Sequence, residues 1–207
     1  MKKRWYCAFA FLITQTAWSQ DFKQGVEYEL LAKPVAVQTG EQIEVRELFW
    51  YRCPHCYSLE PYIHDWLSRK PENADYVPFP AVLSQSWEHQ ARAFFTFEAL
   101  GALDKLHMPF FNAIHKENKN IRSPKDLAKW AATQGVEEQA VLDTYESFAV
   151  DTKTRQAALL TREYGIDGVP AIIIDGKYRT SGSMAGGNER LFAVIDHLVA
   201  KAAQERQ

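Results

Sequence analysis

Cysteine is scarce in this 207-residue chain, which holds only Cys7, Cys53 and Cys56. That count excludes a small domain stapled by several disulfides, and a chain of this length does not need such a staple. A basic block is also missing. The 24 Lys and Arg are mixed with 26 Asp and Glu, which argues against nucleic acid as a partner. Beyond the N-terminal segment, no stretch is long and apolar enough for a membrane helix. Internal repeats and low-complexity segments are absent as well.

What is present begins at the first residue. MKKR is a positive start, WYCAFAFLI a short apolar core, and Ala17-Trp18-Ser19 puts small residues where a signal peptidase reads. Residues 1–19 are therefore expected to be a signal peptide, and the mature chain a soluble protein in an oxidising compartment. Cleavage removes Cys7 and three basic residues. It leaves 21 basic against 26 acidic residues, a formal charge of about −5. Cys53 and Cys56 are then the only cysteines.

The rest of the chain suits a small α/β sheet domain interrupted by helices. Residues 26–31 read as a short strand or extended lead-in, and 43–51 (IEVRELFWY) as a strong strand. A helix is expected from about Cys53, with a kink near Pro61. Residues 74–82 are extended, and Pro78 and Pro80 argue for an edge, a bulge or an early strand end. From 84 to 150 the periodicity is helical, with Ser123 as an N-cap, Pro124 at the first helical position and Gly135 at the far end. Phe94, Phe95, Phe97, Phe110 and Phe111 read as the core of this block. VPAIIIDGKYRT (169–180) carries the Asp-Gly turn of a hairpin. Residues 188–203 form an amphipathic helix, with Asn188 as its expected cap. Ser181-Gly182-Ser183 and Gly186-Gly187 lack the lysine and the strand-turn-helix setting of a phosphate site and read as a flexible loop. The expected division is 20–83 with 151–207 as the sheet domain and 84–150 as an all-helical insertion.

The pair in Cys53-Pro54-His55-Cys56 admits three readings: a metal clip, an inert structural crosslink, or a redox pair. A metal clip needs two further ligands, and the chain has neither a second CxxC nor a short-spaced histidine pair. No metal and no cofactor are expected. A crosslink would close too small a loop to give much stability in return. Redox exchange has the stronger physical case. Cys53 as N-cap faces unpaired N–H groups and the positive end of the helix dipole, which favours its thiolate. Pro54 has no N–H to leave unsatisfied. His55 can add a donor beside the sulfur, and Cys56, one turn in, is placed to resolve a mixed disulfide.

These residues carry a resemblance. CPHC, together with KPV (33–35), ELFWYRCPHC (47–56), the helical block through ESFAV and GVPAIIIDGKYR (168–179), resembles the bacterial periplasmic thiol:disulfide interchange protein DsbA family. The resemblance covers essentially the whole mature chain. It implies a thioredoxin-like fold with an inserted helical domain. It also implies that Gly168, Val169 and Pro170 form the loop facing the cysteines, with a cis bond before Pro170 and Val169 backbone groups free to pair with a substrate strand. Glu47 is an acid in the middle of an apolar strand. Read alone it suits an edge facing solvent; by the resemblance it lies buried under the pair with a raised pKa and takes part in proton transfer. Some relatives pair this acid with a lysine on the neighbouring strand, and YVPFPAV has none.

The activity this implies is dithiol oxidation of unfolded or partly folded exported proteins in the periplasm, by a monomer reoxidised by the quinone-linked membrane partner DsbB. The alternatives are a disulfide isomerase or reductase, and a thioredoxin-like peptide-binding chaperone without redox turnover. No dimerisation module precedes residue 43, which favours the oxidase.

Overall fold

The computed structural model describes residues 21–207, so the expected signal peptide lies outside the described residues. The chain begins with β1 (Glu29–Leu30), β2 (Ile43–Phe49), α1 (Pro54–Leu67) and β3 (Ala74–Pro80). A single 3-10 turn leads into α2 (Glu88–Ala99), α3 (Leu103–His115), α4 (Pro124–Thr133), α5 (Glu138–Tyr145) and α6 (Phe148–Glu163). The chain then returns to β4 (Ala171–Ile174), β5 (Tyr178–Thr180), α7 (Gly182–Ala185) and α8 (Asn188–Glu205).

One sheet holds all five strands of the described residues in the order β1-β5-β4-β2-β3. Only β2 and β3 are parallel, joined through α1; the other pairs are antiparallel. β3 is an edge, as its prolines require. Ala81 N–H donates to Phe49 O, so by the period of two Pro78 and Pro80 have their nitrogens facing away from β2. The β4–β5 turn places Asp175 and Gly176 at φ 54° and 60°. A side chain on Gly176 would collide with the Val35 carbonyl, so only glycine fits there.

β2 is buried along its whole length, although it carries Glu44, Arg46 and Glu47. Alternation explains how. Glu44 and Arg46 share one face and pair at 2.6 Å, with the guanidinium over the Phe79 ring. Glu47 points to the other face, against α1, where no cation among the described residues pairs with it. A central strand therefore holds a neutralised pair on one side and a lone acid on the other.

The sheet has an apolar cluster on each side. Ile43, Val45, Ile172 and Ile174 meet Leu59, Ile63 and Trp66 of α1 and Leu191, Ile195 and Leu198 of α8. Leu48, Phe49 and Ile173 join the helical block, whose interior includes Phe94, Phe95, Phe97, Phe110 and Phe111, as expected for those phenylalanines. Within this block Ser123 and Asp126 form a complete capping box at the start of α4. Ser123→Ala is expected to cost about 1 kcal/mol, read as a lower urea midpoint with an unchanged slope.

Three local expectations need correction. The strand ends at Phe49, so Trp50 and Tyr51 are not sheet side chains. β3 stops opposite Phe49 and β4 opposite Leu48, which leaves no partner further on. Trp50 instead stacks on Trp87 at 4.3 Å, and Tyr51 enters the helical core. The α8 cap is Gly187, at φ 141°, with Asn188 one position inside. Finally, Ser181 accepts from Met184 N–H and caps α7, so this segment contains a helical turn instead of a flexible loop.

Candidate active site

Cys53 ends the turn that follows β2: its N–H donates to Trp50 O, and its backbone is extended before α1 begins. Its sulfur accepts from Cys56 N–H at 3.4 Å, the N-cap arrangement, and Pro54 occupies the first turn. Both cysteines are free thiols. Pro54 and His55 are exposed, Cys53 is 7% exposed and Cys56 is fully buried. Cys53 thus keeps a little surface, while Cys56 is covered.

The two thiols are pulled in opposite directions. Cys53 is lowered from 9.0 to about 6. The hydrogen bond from the Cys56 thiol is the largest cause, joined by the N–H groups of Cys56 and His55 and by the charge on His55, against an opposing effect of burial. Cys56 is raised far above the ordinary thiol range, first by burial, then by its bond to Cys53 and the nearby Glu47 and Cys53 charges. At neutral pH these shifts favour the Cys53 thiolate and leave the proton on Cys56.

Glu47 lies beneath the pair and is fully buried. Its Oε2 accepts from the Tyr76 hydroxyl of β3. Burial, then the charge of Glu60, then that of Cys53 raise its carboxyl well above the ordinary range, while the Tyr76 bond opposes them. A carboxyl kept neutral under a thiol can exchange a proton with it.

The Val169–Pro170 bond is cis, and the Cys53 thiol, when protonated, donates to Val169 O at 3.4 Å. Gly168 is exposed, and Val169 and Pro170 are half-buried. With His55, Ser58 and Met184 these three residues line a groove of about 530 Å³ beside the cysteines. All eight site residues read from the sequence therefore gather at one end of the sheet, where β2 feeds α1 and β4 begins. Among the described residues, no cluster of three or more His, Cys, Asp or Glu is arranged to hold a metal.

Four neighbours were missed in the sequence. Tyr76 holds Glu47, Tyr51 and His107 are joined at 2.8 Å, and Glu60 lies 3.5 Å from His107. Glu60 had a readable signal, because it occupies the apolar stripe Cys56, Leu59, Glu60, Ile63 of α1. The site is also clamped to the helical block. His115 Nε2 lies 2.8 Å from Tyr51 O, and its ring stacks on Tyr57 of α1.

Known proteins resemble this chain in sequence and fold. The profile of the DSBA-like thioredoxin domain matches residues 72–199. The thiol:disulfide interchange protein DsbA of Pseudomonas aeruginosa is 38% identical over 194 residues, 94% of this chain and 92% of that one. Its namesake from Azotobacter vinelandii is 39% identical over 179 residues, covering 86% and 84%. The crystal structure of Pseudomonas aeruginosa DsbA superposes with a TM-score of 0.84 at 37% identity, covering 90% of this chain and 97% of that one. The DsbA structure from Xylella fastidiosa gives 0.81 at 27% identity, covering 87% and 97%. The fold is thus thioredoxin-like with an inserted helical domain, and the chain belongs to the DSBA-like thioredoxin domain family.

Proposed function

We propose that the chain is a thiol:disulfide oxidoreductase that inserts disulfides into newly exported proteins, with Cys53 as the attacked sulfur and Cys56 as the leaving one. The observation that carries this is the split between the two thiols: about 6 for Cys53, and a buried Cys56 pushed upward. The relatives named thiol:disulfide interchange protein support the same activity.

The cycle starts from the Cys53–Cys56 disulfide. A substrate thiolate attacks Cys53 Sγ, the enzyme S–S bond breaks, and its electron pair goes to Cys56, which takes up a proton from the Glu47 carboxyl. A mixed disulfide now joins substrate and Cys53. The second substrate thiolate attacks the substrate sulfur of that bond and expels Cys53 as a thiolate. The substrate leaves oxidised by two electrons, and the enzyme holds the dithiol. The Val169 backbone and the Gly168–Pro170 edge of the groove hold the substrate strand by main-chain contacts, which suits clients of varied sequence. Pro54 opens the helix and His55 favours the Cys53 thiolate.

In this reading residues 1–19 direct export and the chain works in the periplasm. DsbB, linked to quinone, returns the dithiol to the disulfide. Residues 20–83 and 151–207 carry the chemistry, while 84–150 cover one side of the sheet and the end of α1. The protein acts as a monomer on unfolded or partly folded clients, without nucleic acid.

Equilibration with glutathione at fixed ratios of its two forms tests this. The protein is expected to be largely dithiol where thioredoxin, at about −270 mV, would be largely disulfide. A potential near that of thioredoxin would sink the oxidase reading and favour a reductase.

A further inference from the structure

Arg52 stands immediately before Cys53, yet no step of the exchange uses it. It lies half-buried in the turn after β2. Its Nη1 is enclosed and meets no hydrogen-bond acceptor among the described residues. Burial first, and the positive charge of Arg122 second, hold this guanidinium below its usual range. Arg122 is exposed, just ahead of α4. Two like charges thus share one place, and among the described residues neither has a carboxylate within ion-pair distance. An enclosed, unpaired guanidinium beside a second one is costly unless an anion is supplied.

The surroundings do not supply one. His89 of α2 feels the Arg52 charge; burial, joined by that charge, lowers its imidazole against an opposing effect of Asp126, so it is neutral at pH 7. Asp126 is turned to its own helix, where its carboxylate accepts from the N–H groups of Arg122 and Ser123. Lys129 lies near that carboxylate. The patch therefore holds three positive charges, Arg52, Arg122 and Lys129, against the one negative charge of Asp126. The turn that carries Arg52 is held firmly. Trp50 stacks on Trp87 at 4.3 Å and donates to Gln90 at 3.2 Å.

The groove on the other side of Cys53 has the opposite sign. Besides His55, its charged lining is Glu29, Asp167 and Arg179. Arg179 pairs with Glu29 at 2.5 Å. The exposed Asp167 carboxylate is left without a cation among the described residues. A strand laid past Cys53 meets guanidinium groups toward the helical block and a carboxylate toward the groove.

We propose that Arg52 and Arg122 form an anion-recognition site that selects clients carrying Asp or Glu beside the reacting cysteine. The proposal rests on the oxidase reading and names a client class for it. The acidic side chain sits between the two guanidinium groups, is held by charge-assisted hydrogen bonds, and brings the client sulfur to Cys53. Repulsion between the arginines is relieved in the same step. Exchange then runs as before: the client dithiol loses two electrons and becomes a disulfide, and the enzyme disulfide takes them and becomes the dithiol. The Cys53 thiol is lowered by Cys56 and His55, so Arg52 acts on the client and not on the sulfur.

Two-cysteine peptides that differ only in having Glu, Gln or Lys directly before or directly after the first cysteine test this. Their oxidation by the disulfide form of the protein is followed by acid quench and mass spectrometry. Each rate is divided by that of the same peptide with hydroxyethyl disulfide, which removes differences in thiol reactivity. Wild type is expected to favour Glu over Lys roughly threefold to tenfold in one of the two placements, and to lose most of that preference at high salt. Arg52→Gln and Arg122→Gln should each reduce the preference, and the double variant should abolish it. Arg52→Lys should retain more of it than Arg52→Gln.

Equal corrected rates for the Glu and Lys peptides with wild type, or a preference that survives the double variant, would overturn the site. If replacing Arg52 prevents folding, Arg122→Gln decides alone, because that side chain is exposed; an unchanged preference then overturns the proposal. Binding to phosphatidylglycerol vesicles through these arginines, with no preference among the peptides, would assign the patch to a lipid surface and overturn it as well. Failure of wild type to oxidise any peptide would sink the oxidase reading itself, and the inference with it, so the two failures are distinguishable.

Discussion

Cys56→Ala is expected to yield a protein that reacts once with glutathione disulfide and stops, with one glutathione held on Cys53. Cys53→Ala, one turn away and equally conservative, is expected to yield no adduct on the same timescale. The asymmetry follows from the two environments. With a pKa of about 6, Cys53 is about 90% thiolate at neutral pH. Cys56 is fully buried and holds its proton, so the lone sulfur of Cys53→Ala is both covered and unreactive. Neither variant turns over, because removing the resolving sulfur blocks the second step and removing the attacked sulfur blocks the first.

A further outcome separates this account from simple accessibility. The largest cause of the lowered Cys53 pKa is the hydrogen bond from the Cys56 thiol, which Cys56→Ala deletes, while the N–H of residue 56 remains. The Cys53 midpoint in that variant, followed by ultraviolet thiolate absorbance, should therefore lie above about 6 but still below 9.0. A Cys53→Ala protein that forms an adduct on Cys56 as fast as Cys56→Ala does on Cys53 would refute the assignment of roles.

What the sequence made legible was mostly local. The N-cap at Cys53 needs only an extended residue, a proline and a helix, all contiguous, and the structure builds them that way. The capping box at Ser123 and the turn at Asp175-Gly176 are equally short-range. Pro78 and Pro80 narrowed β3 to an edge, a bulge or an early strand end, and it is the edge. The errors arose where distant parts of the chain decide. Trp50 and Tyr51 have strand-like side chains, but the strand ends where β3 and β4 stop pairing with it. The burial of Glu47 was correctly expected, but only from the resemblance, because nothing nearby shows that β2 lies between two other strands. His107 and Tyr51, 56 residues apart, meet only because α3 packs across the end of α1. No periodicity encodes that crossing.

The slope of reduction potential against pH is expected to break at about pH 6. Moving one thiol from 9.0 to about 6 favours the folded dithiol by up to about 4 kcal/mol, at about 1.4 kcal/mol per unit. That figure is an upper bound, because the sulfur borders an open groove and solvent screens part of the effect. Because the folded value is the lower one, the stabilisation is complete above 9.0. It shrinks as pH falls and is gone below about 6. At pH 7 about one unit remains, roughly 1.4 kcal/mol, or about 30 mV for a two-electron couple.

Proton counting gives the slopes. Above the break, reduction adds one proton, to Cys56, and the potential falls by about 30 mV per pH unit; below it both sulfurs take protons and the fall is about 59 mV. Potentials measured against glutathione or a mediator across this range test the argument. A constant fall of about 59 mV per unit through pH 8 would mean that Cys53 is protonated at neutral pH. The helix N-terminus would then not account for an oxidising disulfide. A break at about pH 6 would instead tie the direction of electron flow to the hydrogen bonds around the Cys53 sulfur.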